Sequence, residues 1–459
     1  MKRTTMAQRG QRMLNEPVSR VIPSLAVPTI ISMLVTSIYN MADTFFVGQI
    51  GTSASGAVGV TFSAMAAIQA FAFTIGMGSG ANMSRSLGAG RQEEAEQFVA
   101  TGFFTALLFG AVLAGVCLPN IRPLVKFLGA TDTIAPYAEA YASYIFYAAP
   151  FMMASFVMNN LLRFQGLALY GMVGMGIGGV VNIALDPLFI FALGMGTAGA
   201  ALATALSQTV SFCILLYMIH SHEDAISIRW RNFKPSLRMY GKILYNGVPS
   251  LGRQGIASVA TILLNTVAKP WGDAAIAAMS IVSRFTMFIN SAVIGFGQGF
   301  QPVCSYCYGA GKYRRVREAY RFSLKVETLI LLTLSAVAFV FARPIVTAFR
   351  NDPEVIEIGT LALRLQLAVM PLWGVYSMSN MLTQSIGLGG RATLLAASRQ
   401  GIMLVPLLLI LPRQDVLGLL GLQLSQPVSD MLSFALTLAV MTGVMRELKN
   451  TPDKEDTVR

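Results

Sequence analysis

Twelve apolar runs, each long enough to cross a bilayer, dominate the sequence and leave little chain for any other fold. A helix that crosses the hydrocarbon core needs about 20 mainly apolar residues. Hydrophobic residues make up 54% of the 459 residues and charged residues 12%, which is about half the charged share of a soluble domain. The sequence therefore predicts an all-α polytopic membrane protein. The runs, named spans one to twelve, cover approximately residues 21–47, 56–82, 98–118, 134–160, 168–192, 197–219, 241–268, 274–306, 320–342, 355–386, 391–411 and 416–445.

The distribution of basic residues predicts the orientation. Most Lys and Arg residues lie in the two tails and in the loops after even-numbered spans. Because short cytoplasmic loops carry an excess of Lys and Arg, we expect both termini in the cytoplasm. The expected location is the inner membrane of a bacterium. The net charge of +12 follows from this topology, so no nucleic-acid partner is expected. The first run is too long for a signal-peptide core and lacks a small-residue cleavage site, so it should stay in the mature protein.

An internal repeat relates the two halves of the chain. Four short motifs recur in the same order, at offsets of 219, 221, 221 and 218 residues. Each half holds six spans, and an even number per half makes the repeats parallel, with a central cavity between two lobes. The motif pairs are IGMGSG at 75–80 with IGFGQG at 294–299, GAG at 88–90 with GAG at 309–311, VP at 27–28 with VP at 248–249, and LSQTVS at 206–211 with LSQPVS at 424–429.

The repeat predicts a division into five parts. Two six-helix lobes are joined by a polar linker, and each end of the chain is a cytoplasmic tail. One chain with two lobes is sufficient to form the cavity, so we expect a monomer. The predicted parts are the tail 1–20, the first lobe 21–220, the linker 221–240, the second lobe 241–445 and the tail 446–459.

Span five contains an ionisable residue in an otherwise apolar segment. Asn182 and Asp186 are four residues apart, so on a helix both point to one face. Pro187 cannot donate a hydrogen bond to the carbonyl of Ile183, which loosens the adjacent backbone. Because a carboxylate at membrane depth is costly and usually faces a polar cavity, the segment predicts a polar pocket.

Two further polar residues are predicted at the same depth. Counting from the outer loops places Asp43, Asp186 and Thr204 roughly 8 to 11 Å below the outer surface, at 1.5 Å per residue. If spans one, five and six pack together, Asp43, Asn182, Asp186 and Thr204 form an oxygen-rich pocket for a proton or a small hard cation such as Na⁺. Two carboxylates in a low dielectric repel each other, which favours proton uptake by one of them.

The repeat shows that only the first lobe has these acids, because Asp43 maps onto Leu264 and Asp186 maps near Val405. The alternative to a coupling site is that either Asp pairs with a basic residue or caps a helix end. The sequence leaves both possibilities open.

The chain resembles the multidrug and toxic compound extrusion (MATE) family. The resemblance is carried by DTFFVG at 43–48, by NIALDPLFIFALGMGTAGAALAT at 182–204 and by the paired Gly-rich motifs of spans two and eight, and it extends over about residues 20–446. It implies a twelve-helix, two-lobe antiporter that exports bulky, often cationic compounds in exchange for H⁺ or Na⁺, with no other cofactor. The family's first-lobe coupling site corresponds to Asp43, Asn182, Asp186 and Thr204.

One branch of the family has a second acidic site, with a Glu in span seven and an Asp in span ten. Span seven here has Arg253 and Gln254 but no acid, and span ten has none between Thr360 and Gly387. A second-lobe cation site of that kind is therefore not expected. The pattern resembles the DinF-like and MepA-like branches.

Aromatic, Met and amide side chains are candidates for lining a cavity that binds flat organic cations. Most of the 27 Phe, 14 Tyr and 25 Met residues must face lipid or the core instead. The candidate lining residues are Met33, Tyr39, Gln69, Phe156, Asn159, Met287, Phe288, Gln298 and Met378, with Gln366 and Asn380 as further hydrogen-bonding candidates.

Charged residues and cysteines elsewhere predict structural roles. Asp430 in span twelve is a candidate counter-ion of Arg253 or Arg284, and a transport role is the alternative. Cys304 and Cys307 have CxxC spacing but no second pair or nearby His to complete a metal site, so two unpaired thiols are expected.

The sequence thus predicts secondary active efflux and no enzymatic activity. In this hypothesis, ion entry from outside neutralises the pocket of Asp43 and Asp186, and span one then bends or repacks near Pro23 and Pro28. A flippase of a lipid-linked precursor is the alternative, and a strongly basic cavity would favour it. An intramembrane enzyme would need a metal or nucleophile cluster, and no such cluster stands out.

Overall fold

The structure, a computed structural model, describes residues 5–221, 225–413 and 415–454, apart from the side chains of Thr52 and Ser55. Parts of both predicted tails and residues 222–224 of the predicted linker lie outside the described residues. Within them every regular element is helical, as predicted. Spans one to six are the helices Val18–Gly48, Thr52–Gly88, Gln92–Cys117, Ala135–Phe164, Ala168–Ala192 and Gly196–Ser221, and spans seven to twelve are Leu237–Ala268, Gly272–Gly309, Tyr313–Val340, Pro353–Ser385, Gly389–Ile410 and Gly418–Asn450.

The helices extend past the apolar runs mainly at one end of the bundle. Span two continues to Gly88 and span seven begins at Leu237, because a helix can continue into a polar region that hydropathy does not detect. This end is called the linker side, since residues 225–236 join spans six and seven there.

Three short helices were not predicted. Met6–Asn15 lies within the predicted tail and begins with a capping box, in which Thr5 and Gln8 bond reciprocally. Ile121–Phe127 follows span three and Ala342–Phe349 follows span nine. The starts of these two helices differ by 221 residues (342 − 121), so they obey the repeat.

Spans five, ten and eleven are not uniform α-helices. Span five widens into a π-helix at Leu188–Ala192, immediately after Pro187, and span eleven does so at Ser398–Met403. Span ten is interrupted by a 3₁₀ turn at Met370–Leu372, where Pro371 lacks a backbone donor. Such irregular turns are frequent at functional sites in helices.

Span one belongs to both lobes. The apolar side chains of its linker-side part are buried in one cluster with residues of spans eight, nine, ten and twelve; they are Val18, Val21, Ile22, Leu25 and Ala26. Its opposite end packs against span five of the first lobe, and Val47 belongs to the first-lobe core. Pro23 and Pro28 interrupt the helix hydrogen bonding between these two ends.

Glycines let the lobes approach closely in the linker-side half of the bundle. A Cβ at Gly78 would overlap the carbonyl of Ile243, and one at Gly299 would overlap Ala26. Hydrogen bonds cross the same seam, from Thr29 to the carbonyl of Gly295 at 2.7 Å and from Arg85 to that of Ser385 at 3.1 Å. The lobes are therefore closed against each other on the linker side.

Candidate functional site

Asp43 lies in span one, five residues before the helix ends at Gly48. Its side chain is 7% exposed, and its Oδ2 accepts a hydrogen bond of 3.1 Å from the hydroxyl of Tyr141 in span four. The Asp43 carboxylate is therefore held inside the first lobe by a neutral donor. Tyr141 was not among the predicted site residues.

Asn182 joins spans five and six. Its Nδ2 lies 3.4 Å from Asp186 Oδ1 and 3.3 Å from Thr204 Oγ1. All three side chains are buried, and Asp186 has no exposed surface. The i, i+4 spacing of Asn182 and Asp186 thus places both on the helix face toward span six, as the sequence predicted.

The two halves of the site are adjacent. Asp43 and Asp186 lie close enough to affect each other electrostatically, and Tyr141 lies near both acids and near Thr204. Spans one, four, five and six therefore bring Asp43, Asn182, Asp186 and Thr204 together around Tyr141.

Several oxygens in this cluster have no donor. Asp43 Oδ1, Asn182 Oδ1 and Asp186 Oδ2 are buried without a hydrogen-bond partner among the described residues. In that part of the chain neither carboxylate forms an ion pair, and Asp43 does not cap its helix. Buried carboxylate oxygens without donors can accept a proton or a hard cation.

Tyr39 and Gln208 extend the cluster toward the linker side. Gln208 Nε2 in span six lies 3.5 Å from the Tyr39 hydroxyl in span one, and Gln208 Oε1 is buried without a partner. Gln208 was also missed, although it lies one helical turn from Thr204 and could have been found by that spacing.

The predicted cavity-lining residues differ in exposure. Phe156 and Met378 are buried in the cores of the two lobes, and Gln298 accepts a hydrogen bond from Arg163. Asn159 is 9% exposed, whereas Met287 and Phe288 are exposed. The residues with intermediate burial are Met33 and Gln69. Their roles in binding substrate stay predictions.

The predicted partner of Asp430 was wrong. Asp430 pairs with Arg399 at 2.6 Å and accepts hydrogen bonds from Gln366 at 2.7 Å and from the indole of Trp373 at 2.8 Å. The Arg399 guanidinium lies 4.1 Å from the centre of the Trp373 ring. Arg399 lies in the π-helix of span eleven, whose irregular turn the sequence did not reveal. This acid is fully satisfied, in contrast to those of the first lobe.

Among the described residues, two other arginines have only neutral hydrogen-bond partners. Arg163 is 1% exposed and donates to Gln298 across the seam and to Asn160 at 2.6 Å. Arg253 donates to Asn380 at 3.3 Å. Arg284 is exposed.

Glu327 in span nine is 2% exposed, and neither of its carboxylate oxygens has a partner among the described residues. The cysteines are free, and Cys304 and Cys307 are both buried. Among the described residues no group of three or more His, Cys, Asp and Glu side chains could hold a metal.

Comparison with known proteins places the chain in a family. The sequence model of the family described as MatE matches residues 28–188 and again residues 249–409. The chain belongs to the MatE family. Its members are transporters, so the protein is a multi-pass membrane transporter and not an enzyme. The two matched regions are the two repeats predicted from the sequence.

Similar proteins match this transporter along almost all of its length. The multidrug export protein MepA of Staphylococcus haemolyticus is 25% identical over 430 residues, which are 94% of each chain. A solved MATE transporter in complex with MaL6 is 28% identical, with a TM-score of 0.91, over 96% of this chain and 100% of that one. Another, described as the outward-facing conformation of a multidrug resistance MATE family transporter, is 28% identical, with a TM-score of 0.90, over 98% and 100% of the two chains.

Proposed function

We propose that this MatE transporter exports small organic compounds, including cationic ones, across the inner membrane of a bacterium in exchange for H⁺ or Na⁺. Membership in the family, and the multidrug-export names of its relatives, support drug efflux. The observation that carries ion coupling is the first-lobe cluster, in which Asp43 and Asp186 are buried close together with unpaired oxygens.

The path of span one supports coupling between this cluster and the lobe seam. Asp43 lies near one end of the helix, while the other end is buried among second-lobe residues. The hydroxyl of Thr29 lies 2.8 Å from the carbonyl oxygen of Ala26 in its own helix and 2.7 Å from that of Gly295 in span eight, so it can donate to either one. If an ion binds at Asp43 and span one bends at Pro23 or Pro28, the closed seam must repack.

The closed linker side fits one state of an alternating-access cycle. Since both termini are predicted to be cytoplasmic, a seam closed on that side corresponds to a cavity open to the outside. A relative of the same fold has been described in an outward-facing conformation. Ion binding then favours the return to the inward-facing state, in which substrate is collected.

The driving force is sufficient for export. For an uncharged substrate, one charge moving inward gains roughly 2.3 kcal/mol per 100 mV, which corresponds to about fiftyfold accumulation. For a monovalent cation exchanged one for one, no net charge moves, and the concentration gradient of the ion supplies the driving force. A strongly basic cavity would favour the alternative function, a lipid-precursor flippase. The unpaired acids of the first lobe, the neutralised Arg399 of the second and the names of the relatives favour drug efflux.

Dye uptake into everted membrane vesicles tests the proposal. A pH gradient and a Na⁺ gradient are imposed separately, with a fluorescent cationic dye, for the wild type and for Asp43→Asn and Asp186→Asn. We expect one gradient to drive uptake and both variants to lose it. Asp132→Asn, which removes an exposed loop carboxylate, is the matched control and should transport normally. Gradient-driven uptake that survives both site substitutions would exclude this site, and no gradient-driven uptake at all would exclude antiport of the dye.

A further inference from the structure

The linker between the lobes is held along the linker-side end of span three. The amide of Ile226 donates to Gln165 at 2.8 Å, and Asn232 donates to Glu96 of span three at 2.9 Å. The amide of Lys234 donates to Thr101 at 3.2 Å. The linker from residue 225 onward is thus an ordered part of the surface of the first lobe.

Aromatic side chains place the linker at the boundary between polar and apolar surface. The ring of Trp230 lies 4.7 Å from that of Phe104 and 5.1 Å from that of Phe233. Phe104 lies inside the apolar run of span three, while the first turns of that helix carry Glu93, Glu94 and Glu96. Trp230 is nevertheless 64% exposed. Exposed indoles at this level are typical of the membrane–water interface.

Basic side chains surround Trp230. Residues 225–241 contain no Asp or Glu. Four basic residues there are exposed, and none forms an ion pair within the described ranges. They are Arg229, Arg231, Lys234 and Arg238.

Glu94 and Glu96 of span three both have partners in the structure. Glu94 pairs with Lys242 at 2.7 Å and with Arg91 at 2.9 Å. Glu96 accepts the hydrogen bond from Asn232. Asn232 is neutral, so Glu96 keeps its charge, but the four cations outnumber this carboxylate. Among the described residues the surface around Trp230 therefore has a net positive charge.

We propose that Arg229, Arg231, Lys234 and Arg238, together with Trp230, form a binding surface for the headgroups of anionic phospholipids. The indole ring enters the interface, and the four cations lie beside it where lipid phosphates are concentrated. Because the attraction is electrostatic and exposed, it weakens at high salt. Lipid bound here fixes the first lobe relative to the leaflet, through the segment that connects it to the second lobe. The binding itself does not depend on the proposed transport function.

Quenching by brominated lipids tests this binding directly. The full chain is reconstituted in phosphatidylcholine nanodiscs containing a fixed fraction of phosphatidylglycerol, and the bromine label is placed on one lipid or on the other. The signal of Trp230 is obtained as the difference between the wild type and Trp230→Phe. We expect brominated phosphatidylglycerol to quench Trp230 more strongly than brominated phosphatidylcholine, and less so at high salt.

Charge removal on each side of the membrane gives the decisive comparison. Replacing the four linker cations by Gln should abolish the preference for phosphatidylglycerol. The affinity for the anionic lipid should fall about fivefold for each charge removed. The control variant replaces four exposed basic residues on the opposite side by Gln and should retain the preference. The control positions are Lys269, Arg343, Arg350 and Arg413.

Three results would overturn the proposal. An unchanged preference in the linker variant, an equal loss in the control variant, or quantitative competition by soluble glycerol phosphate would each exclude a linker surface for lipid headgroups. If the fourfold variant does not fold, Arg231→Gln alone is compared with Arg343→Gln, with an expected loss of about fivefold only in the first.

Discussion

The hydroxyl of Tyr141 donates a hydrogen bond of 3.1 Å to Asp43 Oδ2, and it is the one donor that this carboxylate has among the described residues. The bond connects span four to span one. Span four in turn packs against spans two, three, five and six, so under the proposed coupling a change of charge at Asp43 first affects a helix with many neighbours in the first lobe.

Tyr141→Phe should lower gradient-driven export several-fold while the protein still folds. The substitution leaves a buried carboxylate without a donor, which costs about 1–3 kcal/mol. Tyr147→Phe on the same helix is the control, because Tyr147 is 65% exposed. Dye uptake and the midpoint of thermal unfolding in detergent are measured for both. Wild-type export by Tyr141→Phe would show that the hydroxyl has no part in coupling.

Asp430→Asn should destabilise the second lobe strongly. It leaves the buried Arg399 without a counter-ion, and breaking a buried pair from one side costs about 3–5 kcal/mol. Asp430→Asn combined with Arg399→Gln should recover part of the lost thermal stability. The control is Asp132→Asn. Asp132 also pairs with a basic residue, Lys126, which lowers the pKa of its carboxyl, but this pair is exposed to solvent and its loss should change the stability little. A double variant less stable than Asp430→Asn would refute the pairing as the cause.

Glu327→Met should raise the thermal stability without loss of export. Both carboxylate oxygens are buried without partners, and such a group costs about 1–3 kcal/mol when left unsatisfied. The exposed Lys325 on the same helix provides the control, Lys325→Met, which should change neither quantity. If Glu327→Met folds and does not export, then Glu327 is a functional acid, and the second lobe takes part in coupling.

Gly309→Ala should weaken the closed seam. The new methyl group would overlap the carbonyl oxygen of Arg85, and overpacking costs about 1–3 kcal/mol. Cys307 lies two residues before Gly309 in span eight and is fully buried, with its Sγ 3.5 Å from the carbonyl oxygen of Met13. With the other three cysteines replaced by Ser, we expect Cys307 to react at least about tenfold faster with a water-soluble thiol reagent than in the parent.

The control for this seam prediction is Gly443→Ala, where a Cβ would meet nothing within 4 Å. Its labelling rate should equal that of the parent. Slow labelling in both variants would mean that the seam tolerates the methyl group and that the closed state does not depend on the glycine contact.

The sequence predicted the parts of this protein that depend on local patterns. Apolar run length is sufficient to find twelve spans, and the recurrence of short motifs is sufficient to find the two repeats. The proposed coupling acids could be singled out because Asp43 and Asp186 are rare residue types inside apolar helices. None of these inferences depends on which helices are in contact.

The parts that were missed depend on packing between distant segments. Span four contains four tyrosines, at 137, 141, 144 and 147, and only the tertiary structure shows that Tyr141 points to Asp43. The prediction of the partner of Asp430 was wrong because the π-helix of span eleven determines where Arg399 points. Helix Met6–Asn15 was missed because a short polar helix has no apolar run to reveal it.

The contacts at Gly88 and Gly309 are reciprocal. A Cβ at Gly88 would overlap the carbonyl of Tyr306, and one at Gly309 that of Arg85, and both pairs of equivalent residues are separated by 221 positions (309 − 88 and 306 − 85). In a homodimer, a two-fold interface repeats every contact in this way, and any substitution necessarily appears twice. Joining two such halves in one polypeptide removes that constraint, so each half can change independently. The seam could keep its symmetry while one half retained Asp43 and Asp186 and the other diverged.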